Sequence, residues 1–212
     1  LTDLTGLGNL LALTSLNLSN NASLTDLTGL RDLPALTSLD LSDCASLTDL
    51  TGLCNLPALT SLNLPRCESL TDLTGLRDLP ALTHLDLSEC PLTDLTGLQN
   101  LPALTHLDLY GCESLKNLAA LQNLPALTWL RLDGCKSIPK VHRTELSGTA
   151  LDAFLSELRT AGVSPKKKPA AKGAVAKADT SGAIRLEFHG SGGEYLLARM
   201  TPDEEKEARE LA

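Results

Sequence analysis

The chain has 212 residues, a formal net charge of −8 and only 2% aromatic residues. Residues 1–140 hold 15 acidic against 7 basic side chains, and that balance argues against nucleic-acid binders, whose contact faces are basic. No run of about 18 apolar residues occurs, so no membrane span is expected, and no secretory signal pattern is visible.

Along the chain, one unit recurs: L-T-D-L-T-G-L-x-x-L-P-A-L-T-x-L-x-L-x-x-C-x-S. It begins at Leu1, Leu24, Leu47, Leu70, Leu92 and Leu115, giving a period of 23 residues with one unit of 22. A fixed period in this range predicts a solenoid, in which each coil touches only its neighbours. Stacked identical leucines leave little irregular space for aromatics to fill. Leu1 is not Met and falls inside a unit, so the chain reads as a fragment or processed product.

Within a unit, Leu36-Thr37-Ser38-Leu39-Asp40-Leu41 alternates apolar and polar residues, the signature of a half-buried strand. The next segment, Leu47 to Leu53, places leucine at every third position. That spacing suits a 3₁₀ turn, where side chains at i and i+3 eclipse. Leu56-Pro57 ends it, because the residue before proline is pushed to extended geometry.

Cys44, Cys67, Cys90, Cys112 and Cys135 recur at one phase. Stacked on adjacent coils, their parallel Cβ vectors lie about 4.8 Å apart. A disulfide needs Cβ atoms about 3.8 Å apart and turned toward each other, so a ladder of buried free thiols is expected. Cys54 is off this phase, on the convex side, and is expected to be exposed. Unpaired thiols favour a reducing, cytoplasmic compartment.

The pattern L-x-x-L-x-L-x-x-[N/C]-x-x-L over residues 1–140 resembles that of leucine-rich repeat proteins. Asn21 stands where that family has its asparagine ladder. The cysteines of later units are similar to those of plant disease-resistance proteins, and the short convex turns to bacterial internalin-type repeats. The resemblance implies an α/β solenoid: a horseshoe with a short parallel inner sheet and 3₁₀ or helical convex turns. It also implies a ladder side chain that satisfies backbone groups of the loop after each strand. Cysteine is a weak donor, so part of that bonding is expected to be lost or to pass to Ser and Thr.

Against this regular scaffold the variable positions stand out. The first inner-face position runs Ser15, Ser38, Ser61, His84, His106, Trp129. Two residues on it runs Asn17, Asp40, Asn63, Asp86, Asp108, Arg131, and after the strand Ser19, Ser42, Pro65, Ser88, Tyr110, Asp133. Trp, Tyr and Arg are the residues most enriched at interface hot spots. The expected partner-binding residues are His84, Asp86, His106, Asp108, Tyr110, Trp129, Arg131 and Asp133. Trp129 has a second reading, as cover for the last coil under a C-terminal cap. The His84/Asp86 and His106/Asp108 pairs are competent metal ligands, but side chains on a flat sheet converge poorly, so no metal or cofactor is expected.

After Cys135 the pattern decays, with Ile138 and Val141 the last residues on the leucine spacing. Residues 141–162 are expected to form the cap. Thr149–Thr160 reads as an amphipathic helix whose stripe is Leu151, Phe154, Leu155 and Leu158. Residues 163–182, rich in Lys, Ala and Pro, read as a flexible linker that buries too little apolar surface to order itself. Residues 183–212 read as a small β-β-α piece that either docks elsewhere or begins a truncated domain. Its strands are expected at 183–188 and 195–200, with a helix opened by Thr201-Pro202-Asp203-Glu204.

Chemistry is sparse. His189-Gly190-Ser191-Gly192-Gly193 fails the G-x-S-x-G spacing and reads as a hairpin turn. No phosphate loop, H-E-x-x-H or zinc-type cysteine pair occurs. The first expectation is therefore a non-catalytic module that binds a basic or neutral protein partner through its concave face, without nucleic acid or membrane. The alternative is a sensor or regulatory fragment of a larger multidomain enzyme or immune-type protein, whose missing flanking domains are themselves candidate partners.

Overall fold

The computed structural model describes residues 4–161, and the backbone of three strands beyond them. The chain divides into two compact units, Leu1–Lys166 and Lys167–Ala212.

In the first unit each repeat contributes one three-residue strand: β1 (Ser15–Asn17), β2 (Ser38–Asp40), β3 (Ser61–Asn63), β4 (His84–Asp86), β5 (His106–Asp108) and β6 (Trp129–Arg131). They form one parallel sheet in chain order, in matched register: Leu16, Leu39, Leu62, Leu85, Leu107 and Leu130 align across it. Period-two alternation turns these leucines into the core and leaves the flanking residues on the open face. From Leu39 onward the aligned leucines are essentially inaccessible, joined in one cluster with the leucines of the turns. Each buried leucine contributes about 1.5–3 kcal/mol relative to exposure.

Opposite the sheet run 3₁₀ turns at Thr28–Leu30, Thr51–Leu53 and Thr74–Leu76. Asp26, Asp49 and Asp72 start them: each Oδ1 accepts the backbone N–H of the threonine two residues on, at 2.7–2.8 Å. This is an Asx turn, a local substitute for a backbone bond, and it explains why the unit carries aspartate there. A Cβ on Gly52 would stand 2.2 Å from the carbonyl carbon of Leu27 in the preceding coil, and one on Gly75 2.3 Å from that of Leu50. Only glycine lets the coils approach this closely.

The fifth unit departs from expectation. It follows the 22-residue unit, which lacks a residue between Cys90 and Leu92, and its residues 96–98 form no 3₁₀ helix. Gly97 instead takes φ +113°. The sixth turn (Ala119–Asn123) lies against this irregular coil and carries Ala120 in the glycine place.

The C-terminal end of the sheet is covered as the apolar stripe implies. Helix α1 (Gly148–Ala161) buries Leu151, Phe154, Leu155 and Leu158. It packs against β6 and the 119–123 turn. Before it, β7 (Glu145–Ser147) pairs antiparallel with β6. A three-residue strand holding one leucine has no period to read, so the sequence does not reveal it. Arg143 fastens this crossing by donating to the carbonyls of Ile138 (2.9 Å) and Lys136.

The second unit corrects two expectations. Part of the expected linker is a strand, β8 (Ala174–Ala178). It pairs antiparallel with β9 (Ile184–Phe188), which pairs with β10 (Tyr195–Leu196), giving the order β10-β9-β8. Composition misled here because backbone ladder bonds order an Ala-Val-Ala-Lys-Ala segment that has little apolar side chain to bury. Among the described residues the tail has three strands where two were expected, and β10 covers the first two residues of the 195–200 expected. The remaining linker residues, the glycine-rich turn and the helix expected from Thr201 lie outside the described residues.

Leu85→Ala is expected to cost about 2–5 kcal/mol. Gly52→Ala should cost about 1–3 kcal/mol by forcing the coils apart. Gly6→Ala, where a Cβ meets nothing within 4 Å, should stay within about 0.5 kcal/mol of wild type. Denaturant midpoints of the three variants check this, and equal midpoints for Gly52→Ala and Gly6→Ala would refute the stacking.

Candidate functional site

The register brings the first inner-face row together: Ser15, Ser38, Ser61, His84, His106, Trp129 and, from β7, Ser147. The rings of His84 and His106 stack with centroids 4.4 Å apart and planes 11° apart. His106 in turn stacks on Trp129 at 6.0 Å and 27°. The three form a continuous aromatic strip across β4–β6. Parallel stacking keeps the imidazole nitrogens side by side, so they do not converge as metal ligands would. Trp129 ends the strip, and its Nε1–H donates to Glu145 Oε1 of the cap at 2.9 Å.

The second row places Asp86 beside Asp108 and Asp108 beside Arg131. Oδ1 of Asp86 accepts the Ser88 N–H, and Oδ1 of Asp108 the Tyr110 N–H, each at 2.8 Å. One oxygen of each of these two aspartates therefore shapes the loop after its strand. Asn63 has no such duty because Pro65 lacks an N–H. Arg131 lies 3.5 Å from Asp108 Oδ2 and 3.4 Å from Asp133 Oδ2. Its guanidinium also lies over the Tyr110 ring, 4.4 Å from the centroid. Burial raises the Asp108 pKa, with neighbouring Asp86 adding to the shift, while the Tyr110 N–H and Arg131 act the other way. All eight expected residues thus lie on β4–β6 and the loops that follow β5 and β6.

Two ladders hold this face in place. Each cysteine of the common phase is buried and donates its thiol to the carbonyl of the leucine just after the preceding coil's strand: Cys44 to Leu18, Cys67 to Leu41, Cys90 to Leu64, Cys112 to Leu87 and Cys135 to Leu109, at 3.1–3.4 Å. The thiols make these bonds themselves and do not pass them to hydroxyls. Threonines form a second, separate ladder, with Thr37, Thr60, Thr83, Thr105 and Thr128 each donating Oγ1–H to the threonine carbonyl one coil back. Asn21 donates its amide to Leu18 within its own coil at 2.8 Å. Cys54 is half-buried, not exposed as expected, because its thiol reaches the Gly75 carbonyl at 3.8 Å.

Sequence reasoning missed Glu145, which orients Trp129, because β7 was not visible. It also missed the loop positions Asn20, Asp43, Arg66 and Glu89, which all take φ near +60°. Two of them pair across coils, with Arg66 Nε 2.6 Å from Asp43 Oδ1. A recess of about 300 Å³ follows the strip, bordered by Ser61, Asn63, His84, Asp86, Asp108 and Trp129.

Residues 11–55 and 80–126 match the family described as leucine rich repeats (2 copies). Two solved structures share the fold. An internalin (inlF) from Listeria monocytogenes is 32% identical over 63% of this chain and 38% of its own, with a TM-score of 0.57. An internalin C2 (inlC2) from the same organism is 33% identical over 61% of this chain and 55% of its own, with a TM-score of 0.53. The chain therefore carries a leucine-rich repeat domain, and it spans about half or less of the length of these two proteins. None of the curated proteins compared with it matches.

Burial pushes the Cys67 and Cys90 thiols up to about 12 and Cys135 to about 11, from an ordinary value of 9.0. Above pH 9 the unfolded chain loses protons that the folded chain retains, so stability is full below about 9 and falls as pH rises toward 12. A flat stability profile across that window would contradict the ladder. At neutral pH, Cys54 should react with a thiol reagent first and the five ladder thiols only on unfolding.

Proposed function

We propose that the repeat domain is a non-catalytic recognition module that binds a protein partner through the open face of β4–β6. One observation carries the reading: the His84–His106–Trp129 strip runs beside the Tyr110–Arg131 stack on a single, otherwise plain polar face. Trp, Tyr and Arg dominate binding energy at protein interfaces, and a solenoid offers a broad surface for them. The two rows on β1–β3 hold only Ser, Asn and Asp, so the interface is polarised toward the later coils. Acidic side chains outnumber basic ones along the repeats, which suits a partner of basic character. The unpaired thiols fit a reducing, cytoplasmic setting. In this reading Asp86, Asp108 and Asp133 hold the loops and the arginine in place while Tyr110, Trp129 and Arg131 supply contact area.

Affinity capture from source cells tests the reading, with wild type compared against Tyr110→Ala/Trp129→Ala/Arg131→Ala. A partner retained by wild type should be lost at least tenfold in the variant, since truncated hot-spot residues each cost about 2 kcal/mol or more. Equal capture by both proteins would move the site off this face.

A further inference from the structure

We infer that the patch bounded by His84, His106, Asp86, Asp108 and Trp129 is a receptor for an arginine side chain of the partner; this rests on the recognition reading above. The inference starts from where the protons lie. Nδ1 of His84 is 2.9 Å from Thr83 Oγ1, and Nδ1 of His106 is 2.9 Å from Thr105 Oγ1. Both hydroxyls belong to the threonine ladder. Thr37, Thr60 and Thr128, which have no histidine beside them, spend their hydroxyl proton on the preceding coil's carbonyl. Thr83 and Thr105 make the same bond, at 2.9 and 3.0 Å. A hydroxyl has one proton, so towards each imidazole it can only accept. Each neutral histidine must therefore carry its proton on Nδ1, which leaves Nε2 of two exposed, stacked rings as bare acceptors.

The neighbouring carboxylates point to the same chemistry. Asp86 and Asp108 are paired on adjacent strands, about 4.8 Å apart in the sheet. Asp86 spends Oδ1 on the Ser88 N–H, which leaves Oδ2 able to accept. The nearby donors are engaged inside the protein: the Trp129 N–H by Glu145, the Arg131 guanidinium by Asp108 and Asp133. At its centre the patch therefore offers acceptors and surplus negative charge beside an indole. Ser61 and Asn63 at its far edge can donate or accept.

An arginine fits this set better than a lysine does. Its planar fork carries five donors, matches side-by-side acceptors and stacks on aromatic faces, whereas an ammonium is a compact, strongly hydrated point charge. Arg131 shows the mode within the molecule, held by two carboxylates and lying over Tyr110. The inferred ligand would repeat that arrangement one strand away, on Asp86 and the His84–His106–Trp129 strip.

Two measurements on the full chain test this. Long-range ¹H–¹⁵N spectra of the histidine rings should show His84 and His106 protonated on Nδ1 and bare on Nε2 when neutral; protons on Nε2 would overturn the inference. Titration with an oligoarginine and an oligolysine peptide of equal length should favour arginine by about tenfold. Asp86→Asn and Trp129→Ala, with unchanged denaturation midpoints, should each abolish that preference. Equal affinity for the two peptides, or a preference untouched by both substitutions, would overturn it. Capture of a partner through the face without any arginine preference would sink this inference and leave the recognition reading standing. Arginine preference with partner capture indifferent to the triple substitution would do the reverse.

Discussion

Every coil is fastened to the one before it by donors aimed into that coil's carbonyl groups. The thiol of Cys90 reaches Leu64, the hydroxyl of Thr83 reaches Thr60, and the backbone N–H groups of Thr83 and His84 reach the same Thr60 carbonyl. Each bond is modest, near 1 kcal/mol net, but it recurs at the same place in successive coils. Where it recurs, the strands cannot slip, because a shift of one residue would exchange the buried leucines for the face residues. The glycine turns on the opposite side set the same spacing by steric exclusion. Bonds on one side and contact on the other leave the stack only one register.

That register makes the open face a display of rows. A residue changed at one position of one unit lands beside its counterpart in the next, which is how two histidines and a tryptophan come to stack without a loop or pocket to gather them. The cost of such a display is electrostatic. Asp86 and Asp108 stand side by side because each accepts the loop N–H after its own strand, and Arg131 relieves only the second. The scaffold's own requirement thus leaves unbalanced negative charge on this face.

Much of this was legible in the sequence, for reasons tied to particular residues. Leu39, Leu62 and Leu85 could be placed in the core because their period is independent of context. Cys44 to Cys135 could be read as free thiols because phase alone excludes disulfide geometry. The stripe of Leu151, Phe154, Leu155 and Leu158 announced the cap. The row of His84, His106 and Trp129 followed from phase, but their ring stacking and the histidine tautomer depend on distances that phase does not contain. Other features depended on partners elsewhere in the chain. Strand β7 exists only because the edge of β6 was open, and β8 because β9 pairs with it. The half-burial of Cys54 required the Gly75 carbonyl, 21 residues on. The aspartates of the L-T-D-L-T segment were visible in every unit from Leu24 to Leu92, but their role required knowing where the next N–H points.

The inter-coil bonds hold strands β4–β6 as firmly as the plainer β2 and β3. Amide hydrogen exchange tests it most directly. The N–H groups of His84, His106 and Trp129 donate to Thr60, Thr83 and Thr105 at 2.9–3.0 Å, as Ser38 and Ser61 do to Thr14 and Thr37 at 3.0–3.1 Å. Comparable, strong protection of all five amides is predicted. Exchange of the first three at the rate of the surrounding loops, with Ser38 and Ser61 still protected, would contradict it.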